Sequence, residues 1–184
     1  MSQGEFVLSK VFEKTLEQFL EKEAQNILSG VSERNLCARM AMFLQILAND
    51  NGFSGYYADP EYNRKQNGRV KTILDDEMQI VNITCDLILH SRGEIMARDN
   101  LITIEMKKSE RPEEEKNNDR ARLRTLTKSS FDGVWSYDGE THPEHVCGYE
   151  LGYFVELDHK NHSYIVQLFQ AGELVEEYSG QFGL

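Results

Sequence analysis

The sequence predicts an α/β (α+β) fold in one domain spanning residues 1–184, with a central mixed β-sheet flanked by helices in the order α-α-β-β-β-α-β-β. Three observations predict it. Two segments of helical period open the chain. Two segments of strict alternation follow, at 80–90 and 101–107. A charged helix at 113–127 then separates these from a last pair of strands. A chain of 184 residues, 40% of them apolar, is long enough for one domain with a core of its own.

The N-terminal helix, within 1–30, rests on Leu8, Val11, Phe12, Leu16, Phe19, Leu20, Ile27 and Leu28, an apolar stripe across 8–29 that Gly30 stops. Ser32 is the N-cap of the second helix, and Glu33 sits in its first turn. Its apolar face is Leu36, Met40, Phe43, Leu44 and Leu47, and 48–52 ends it. The period then changes. Segments 56–64 and 69–74 read as short strands or loops around a turn at Gln66-Asn67-Gly68. Strands follow at 80–90 and 101–107. Pro112 opens the helix at 113–127. Residues 129–149 are turn-rich, and strands 151–157 and 164–170 form a hairpin.

Composition narrows the function. Mean hydropathy is -0.55 and no apolar run nears the roughly 20 residues that span a bilayer, so no membrane partner is expected. Residues 1–10 lack a basic patch ahead of an apolar run, so a cytoplasmic protein without a secretory signal is expected. Three scattered cysteines fit a reducing compartment. His142, His145 and Cys147 could offer three metal ligands, but without a fourth they read as a polar loop. The net charge of -11 is unevenly spread. The acidic C-terminal part, 129–184, holds ten acids against Lys160 alone. Two basic patches, 61–72 and 116–128, bracket the middle of the chain.

The chemistry lies on the two alternating segments. Val81, Ile83, Cys85, Leu87 and Leu89 form an apolar face, which puts Asp86 on the opposite one. In 101–107, Ile102, Ile104 and Met106 face the core, and Glu105 and Lys107 lie side by side on the other face. If the two strands pair, Asp86, Glu105 and Lys107 converge. Two carboxylates suit Mg²⁺ or Mn²⁺, hard cations that take oxygen ligands and retain water. A lysine beside them can orient or deprotonate that water, or stabilise developing negative charge. The bland alternative is a strand-end ion pair and a surface acid.

These residues resemble the PD-(D/E)xK nuclease superfamily, the restriction-endonuclease-like fold. Cys85-Asp86 stands at its Pro-Asp, and Leu101 to Lys108, LITIEMKK, is similar to its acid-x-Lys strand. Glu61-Tyr-Asn-Arg64 is similar to its first strand, and the likeness covers 32–170 as the core. The resemblance implies that Asp86, Glu105 and the Met106 carbonyl hold the metal and that Lys107 is catalytic. It makes Glu33 an auxiliary catalytic acid, although an acid in a helix's first turn is also favoured by the macrodipole alone.

Lys116, Arg120, Arg124 and Lys128 recur every four residues, a stripe able to track a nucleic-acid backbone or simply to face solvent, while Leu123 and Leu126 anchor the helix elsewhere. The resulting expectation is a Mg²⁺-dependent nuclease, first a DNA endonuclease, with nucleic acid as its partner. A protein partner or a homodimer is compatible with it. The alternative is a catalytically silent nuclease-fold protein that acts as an interaction or regulatory module. An acidic mimic of nucleic acid is a third class, and the basic stripes oppose it.

Overall fold

The computed structural model describes residues 3–61, 72–74, 80–82, 85–128 and 148–183. Helices α1 (Gln3–Lys22), α2 (Ala24–Leu28) and α3 (Glu33–Asp50) come first. Strands β1 (Tyr57–Pro60), β2 (Thr72–Leu74), β3 (Ile80–Asn82), β4 (Leu87–His90) and β5 (Asn100–Lys108) follow. Helix α4 (Glu113–Thr127) leads to β6 (Leu151–Asp158), β7 (Ser163–Gln170) and β8 (Glu173–Gln181). The protein is α+β, built on a six-stranded mixed sheet in the order β1-β4-β5-β6-β7-β8, with β2 and β3 as a separate hairpin. Among the described strands only β5 and β6 pair in parallel, and α4 lies in the crossover between them. No helix among the described residues is long and apolar enough to cross a membrane.

The main core lies between the sheet and α1–α3. Leu8, Phe12 and Phe19 of α1 and Leu36, Met40 and Leu44 of α3 meet Leu87, Leu89, Ile102, Ile104 and Met106. Phe12 stacks on Tyr153 with ring centroids 3.4 Å apart. The opposite sheet face receives α4, where Leu123 packs with Phe154 and Phe169, and Leu126 with Cys85, Ile88 and Tyr149. Helices therefore pack on both faces of the sheet, and Thr103 and Glu105 of β5 are buried on the α4 side.

The structure corrects four expectations. The helix predicted across 8–29 is two helices, because Glu23 leaves the helical path and binds Arg39 of α3 through a buried carboxylate, 2.6 Å away. The strand predicted across 80–90 is also two. Residues 80–82 pair with 72–74, whereas 87–90 join the main sheet, with a bend at Asp86 between them. The first described strand of the sheet is Tyr57–Pro60; Glu61, where the resemblance begins that strand, takes a positive φ of 50° in a turn, and 62–64 lie outside the described residues. A third C-terminal strand, β8, extends the hairpin. Its acids Glu173, Glu176 and Glu177 mask its strand character in the sequence, and its pairing with β7 supplies it. By contrast, α4 and its Pro112 N-cap occupy the predicted span. The Gln66-Asn67-Gly68 turn and the His142, His145 and Cys147 group lie outside the described residues.

Candidate metal centre

Alternation along β5 builds the centre. Ile104 and Met106 enter the main core, so Thr103, Glu105 and Lys107 face α4. Leu87 pairs with Ile104 on β5, which brings the residue before β4, Asp86, alongside Glu105. Two backbone bonds fix Asp86. Its carbonyl accepts the Glu61 N–H at 3.1 Å, and its Oδ2 accepts the Met106 N–H at 2.9 Å. In an extended strand a residue's N–H and C=O point to the same side, so the Met106 carbonyl is also turned towards Asp86.

The third acid comes from α4. Asp119, Leu123 and Leu126 follow at helical spacing on the buried face of that helix, and the Asp119 carboxylate closes on the strands. Ligand oxygens of Asp86, Glu105 and Asp119 lie within 4.8 Å of one another. Lys107 Nζ stands 2.8 Å from Asp119 Oδ2, an ion pair off the line of a well-formed hydrogen bond, and 4.0 Å from Asp86 Oδ2. Arg122, one turn along α4, reaches Glu105 Oε1 at 2.8 Å and Asp119 Oδ1 at 3.2 Å. Three carboxylates thus face two cations.

Burial sets the electrostatics. The Glu105 side chain is 0% exposed. Loss of water and the neighbouring Asp86 charge push its carboxyl well above the usual range, against the pull of Arg122. Asp86 is also raised, mainly by burial, which outweighs the Met106 N–H and Lys107. Burial alone would lower Lys107, but the Asp119 carboxylate and the Asp86 charge more than offset it, so the ammonium is held charged. Among the described residues, buried Glu105 Oε2 has no hydrogen-bond partner, and the nearby buried Thr103 hydroxyl has none either. Leaving a buried carboxylate oxygen unpaired beside two further acids is costly, and a divalent cation would satisfy all three. The donor set, all oxygen and anionic, fits Mg²⁺ or Mn²⁺.

The structure brings Asp86, Glu105 and Lys107 together and leaves Glu33 apart. Glu33 accepts the Lys108 N–H at 2.9 Å and pairs with Arg111 at 3.0 Å, which anchors α3 to the end of β5 and holds its carboxyl below the usual range. The stripe on α4 folds onto the sheet. Lys116 is buried against Glu156 at 3.0 Å, and Arg120 binds Glu113 and Gln167. Arg124 reaches Glu173 at 3.3 Å, and the Lys128 side chain packs against Gly172. The basic residues of 62–71 lie outside the described residues.

Sequence reasoning passed over Asp119 and Arg122. One signal was present for Asp119, an acid in register with Leu123 and Leu126 on the anchoring face of the helix. Nothing in the sequence marked Arg122 apart from its neighbours. No family model matches the chain, and neither a curated protein nor a solved structure matches it.

Proposed function

We propose that this protein is a metal-dependent phosphodiesterase of the PD-(D/E)xK type that hydrolyses nucleic acid, with DNA the first substrate to test. The observation that carries the reading is the gathering of Asp86, Glu105 and Asp119 within 4.8 Å beside Lys107, with Glu105 Oε2 buried and unpartnered. The element order also supports it. With the β2–β3 pair set aside, helix α3, strands β1, β4 and β5, helix α4 and strand β6 are compatible with the order that the resemblance implies, with Asp86 ahead of the second of these strands and acid-x-Lys on the third.

Each residue has a role that its geometry suggests. Asp86, Glu105 and Asp119 would hold a divalent cation, with the Met106 carbonyl as a further oxygen. When bound, that ion supplies Lewis-acid polarisation of a phosphoryl oxygen and a water of lowered pKa. Lys107, a charged ammonium at the rim of the acids, would stabilise the negative charge that develops on the phosphoryl oxygens. Asp119 positions Lys107 through its ion pair.

A second reading has its own observation. Arg122 already neutralises Glu105 and Asp119, and the basic stripe is engaged by acids of the same chain. A catalytically silent interaction module would look this way. The two are separated by incubating the protein with plasmid DNA, single-stranded DNA and RNA, with and without Mg²⁺ or Mn²⁺, beside Asp86→Ala and Lys107→Ala proteins. Metal-dependent cleavage lost in both variants supports the enzyme and names its substrate. Equal cleavage by all three proteins would assign the activity to a contaminant, and no cleavage of any substrate would favour the module.

A further inference from the structure

On the sheet face opposite α4, a groove of about 660 Å³ runs between α1 and the β7–β8 hairpin. Its helix wall carries Glu13, Glu17 and Glu21, one per helical turn and about 6 Å apart along the axis, above a seam of Leu16 and Leu20. Like charges at i, i+4 destabilise a helix by a few tenths of a kcal/mol per pair, so this row is an electrostatic liability to the isolated chain. Lys10 and Lys22 offset it only from outside the groove, through exposed pairs with Glu13 and Glu21. The hairpin wall adds Glu176 and the rings of Tyr164, Tyr178 and Phe182. Tyr164 lies over Gly180, where any Cβ would meet its hydroxyl at 2.5 Å, so the glycine makes room for the ring. Among the described residues, no lysine or arginine lines the groove.

A buried polar group lies behind the helix wall, in the core against Phe12. The Tyr153 side chain is 2% exposed, and its hydroxyl has no well-formed hydrogen bond among the described residues. Ser9 acts on it, but Ser9 donates its own proton to Glu13 at 3.3 Å. After burial and Ser9, the carboxylates of Glu13 and Glu176 on the groove walls act on that hydroxyl. A buried phenol therefore sits beneath the acidic row with acceptor capacity to spare.

We infer that the α1–β8 groove is a docking site for a basic segment of a partner protein, its arginine or lysine side chains paired with Glu13, Glu17, Glu21 and Glu176 and its stem carbons laid on Leu16, Leu20, Tyr164 and Tyr178. Charge complementarity selects the ligand class, because four carboxylates and three aromatic rings without an internal cation recognise ammonium and guanidinium groups. The volume selects a chain segment over a single small cation, since it matches a ligand of many heavy atoms. The groove lies across the sheet from Asp86, Glu105 and Asp119, so the inference is independent of the phosphodiesterase reading.

The test is a titration of the full chain with a short labelled peptide of alternating arginine, lysine and leucine, followed by fluorescence anisotropy. Its comparators are a Glu13→Gln/Glu17→Gln/Glu21→Gln variant and a control variant, Glu94→Gln/Glu114→Gln/Glu110→Gln, with the same charge change elsewhere. Circular dichroism confirms that both are folded. The expected result is saturable binding that weakens with salt, about tenfold weaker in the groove variant and unchanged in the control. Equal losses in both variants would reduce the effect to net charge and overturn the proposal. Spermine that binds as tightly as the peptide and displaces it would overturn the protein occupant in favour of a polyamine, and absence of saturable binding would overturn the site.

Discussion

Replacing Arg122 with methionine should destabilise the protein in the absence of metal and make its stability respond strongly to metal. Arg122 is the partner of Glu105 Oε1 at 2.8 Å and of Asp119 Oδ1 at 3.2 Å, and these acids are 0% and 5% exposed at the side chain. Breaking a buried ion pair by removing one partner costs about 3–5 kcal/mol, because the remaining charge is stranded. Arg122 is itself 27% exposed, and water can reach part of the space it leaves, so the expected loss is at the lower end, about 3 kcal/mol. For a chain of this size that is about 6–12 °C in Tm. A divalent cation binding the same acids at a hundred times its Kd returns about 2.7 kcal/mol. Urea denaturation of wild type and Arg122→Met, each with EDTA and with saturating Mn²⁺, gives both quantities. Wild type gains from the ion as well, so the deficit narrows by the excess affinity of the variant, whose acids no longer pair with Arg122; tenfold tighter Mn²⁺ binding there narrows it by about 1.4 kcal/mol. A variant as stable as wild type in EDTA, or a full deficit that Mn²⁺ leaves in place, would refute the reasoning.

Three further outcomes follow from packing and charge elsewhere. Gly152→Ala places a Cβ 2.8 Å from Thr127 Cγ2 and 3.4 Å from Leu123 Cδ2, so it should lower stability by about 1–3 kcal/mol in a thermal melt; an unchanged Tm would show that α4 can move off the sheet freely. Lys116→Met strands Glu156, from which Arg120 stands 3.9 Å away, and should cost about 2–3 kcal/mol in urea; a neutral effect would mean that Arg120 moves in to replace it. Desolvation would raise the Asp59 carboxyl, but bonds from His90 and Arg92 win and hold it well below the usual range. Its stabilising effect is therefore complete above its unfolded pKa of about 4 and is lost as pH falls towards the folded value, so Asp59→Asn should flatten the stability profile below about pH 4; a parallel acid limb would contradict the assignment.

Much of the candidate site was legible because alternation along a strand is a strict code. The apolar parity of Ile102, Ile104 and Met106 already placed Glu105 and Lys107 together on the second face. The parity of Leu87 and Leu89 did the same for Asp86, although Asp86 stands at a bend rather than inside a strand. Periodicity cannot foresee that bend, since the hydrogen bonds fixing it come from Met106 and Glu61, both distant in the sequence. Asp119 was hidden for a related reason. A helix wheel shows an acid beside Leu123 and Leu126, but only the crossover from β5 to β6 reveals that this face closes on Glu105. The basic stripe misleads in the other direction. Lys116, Arg120 and Arg124 look like a phosphate track until β6, β7 and the start of β8 supply Glu156, Gln167 and Glu173 as partners.

The most direct test of the metal centre separates ion binding from chemistry. Mn²⁺ binding is measured by electron paramagnetic resonance for wild type, Asp86→Asn, Asp119→Asn and Lys107→Met, with nucleic-acid cleavage followed on the same samples. The account predicts a bound ion in wild type, loss of it in both aspartate variants, and retention in Lys107→Met with cleavage abolished. Mn²⁺ binding that survives both aspartate substitutions, or cleavage that survives Lys107→Met, would contradict it.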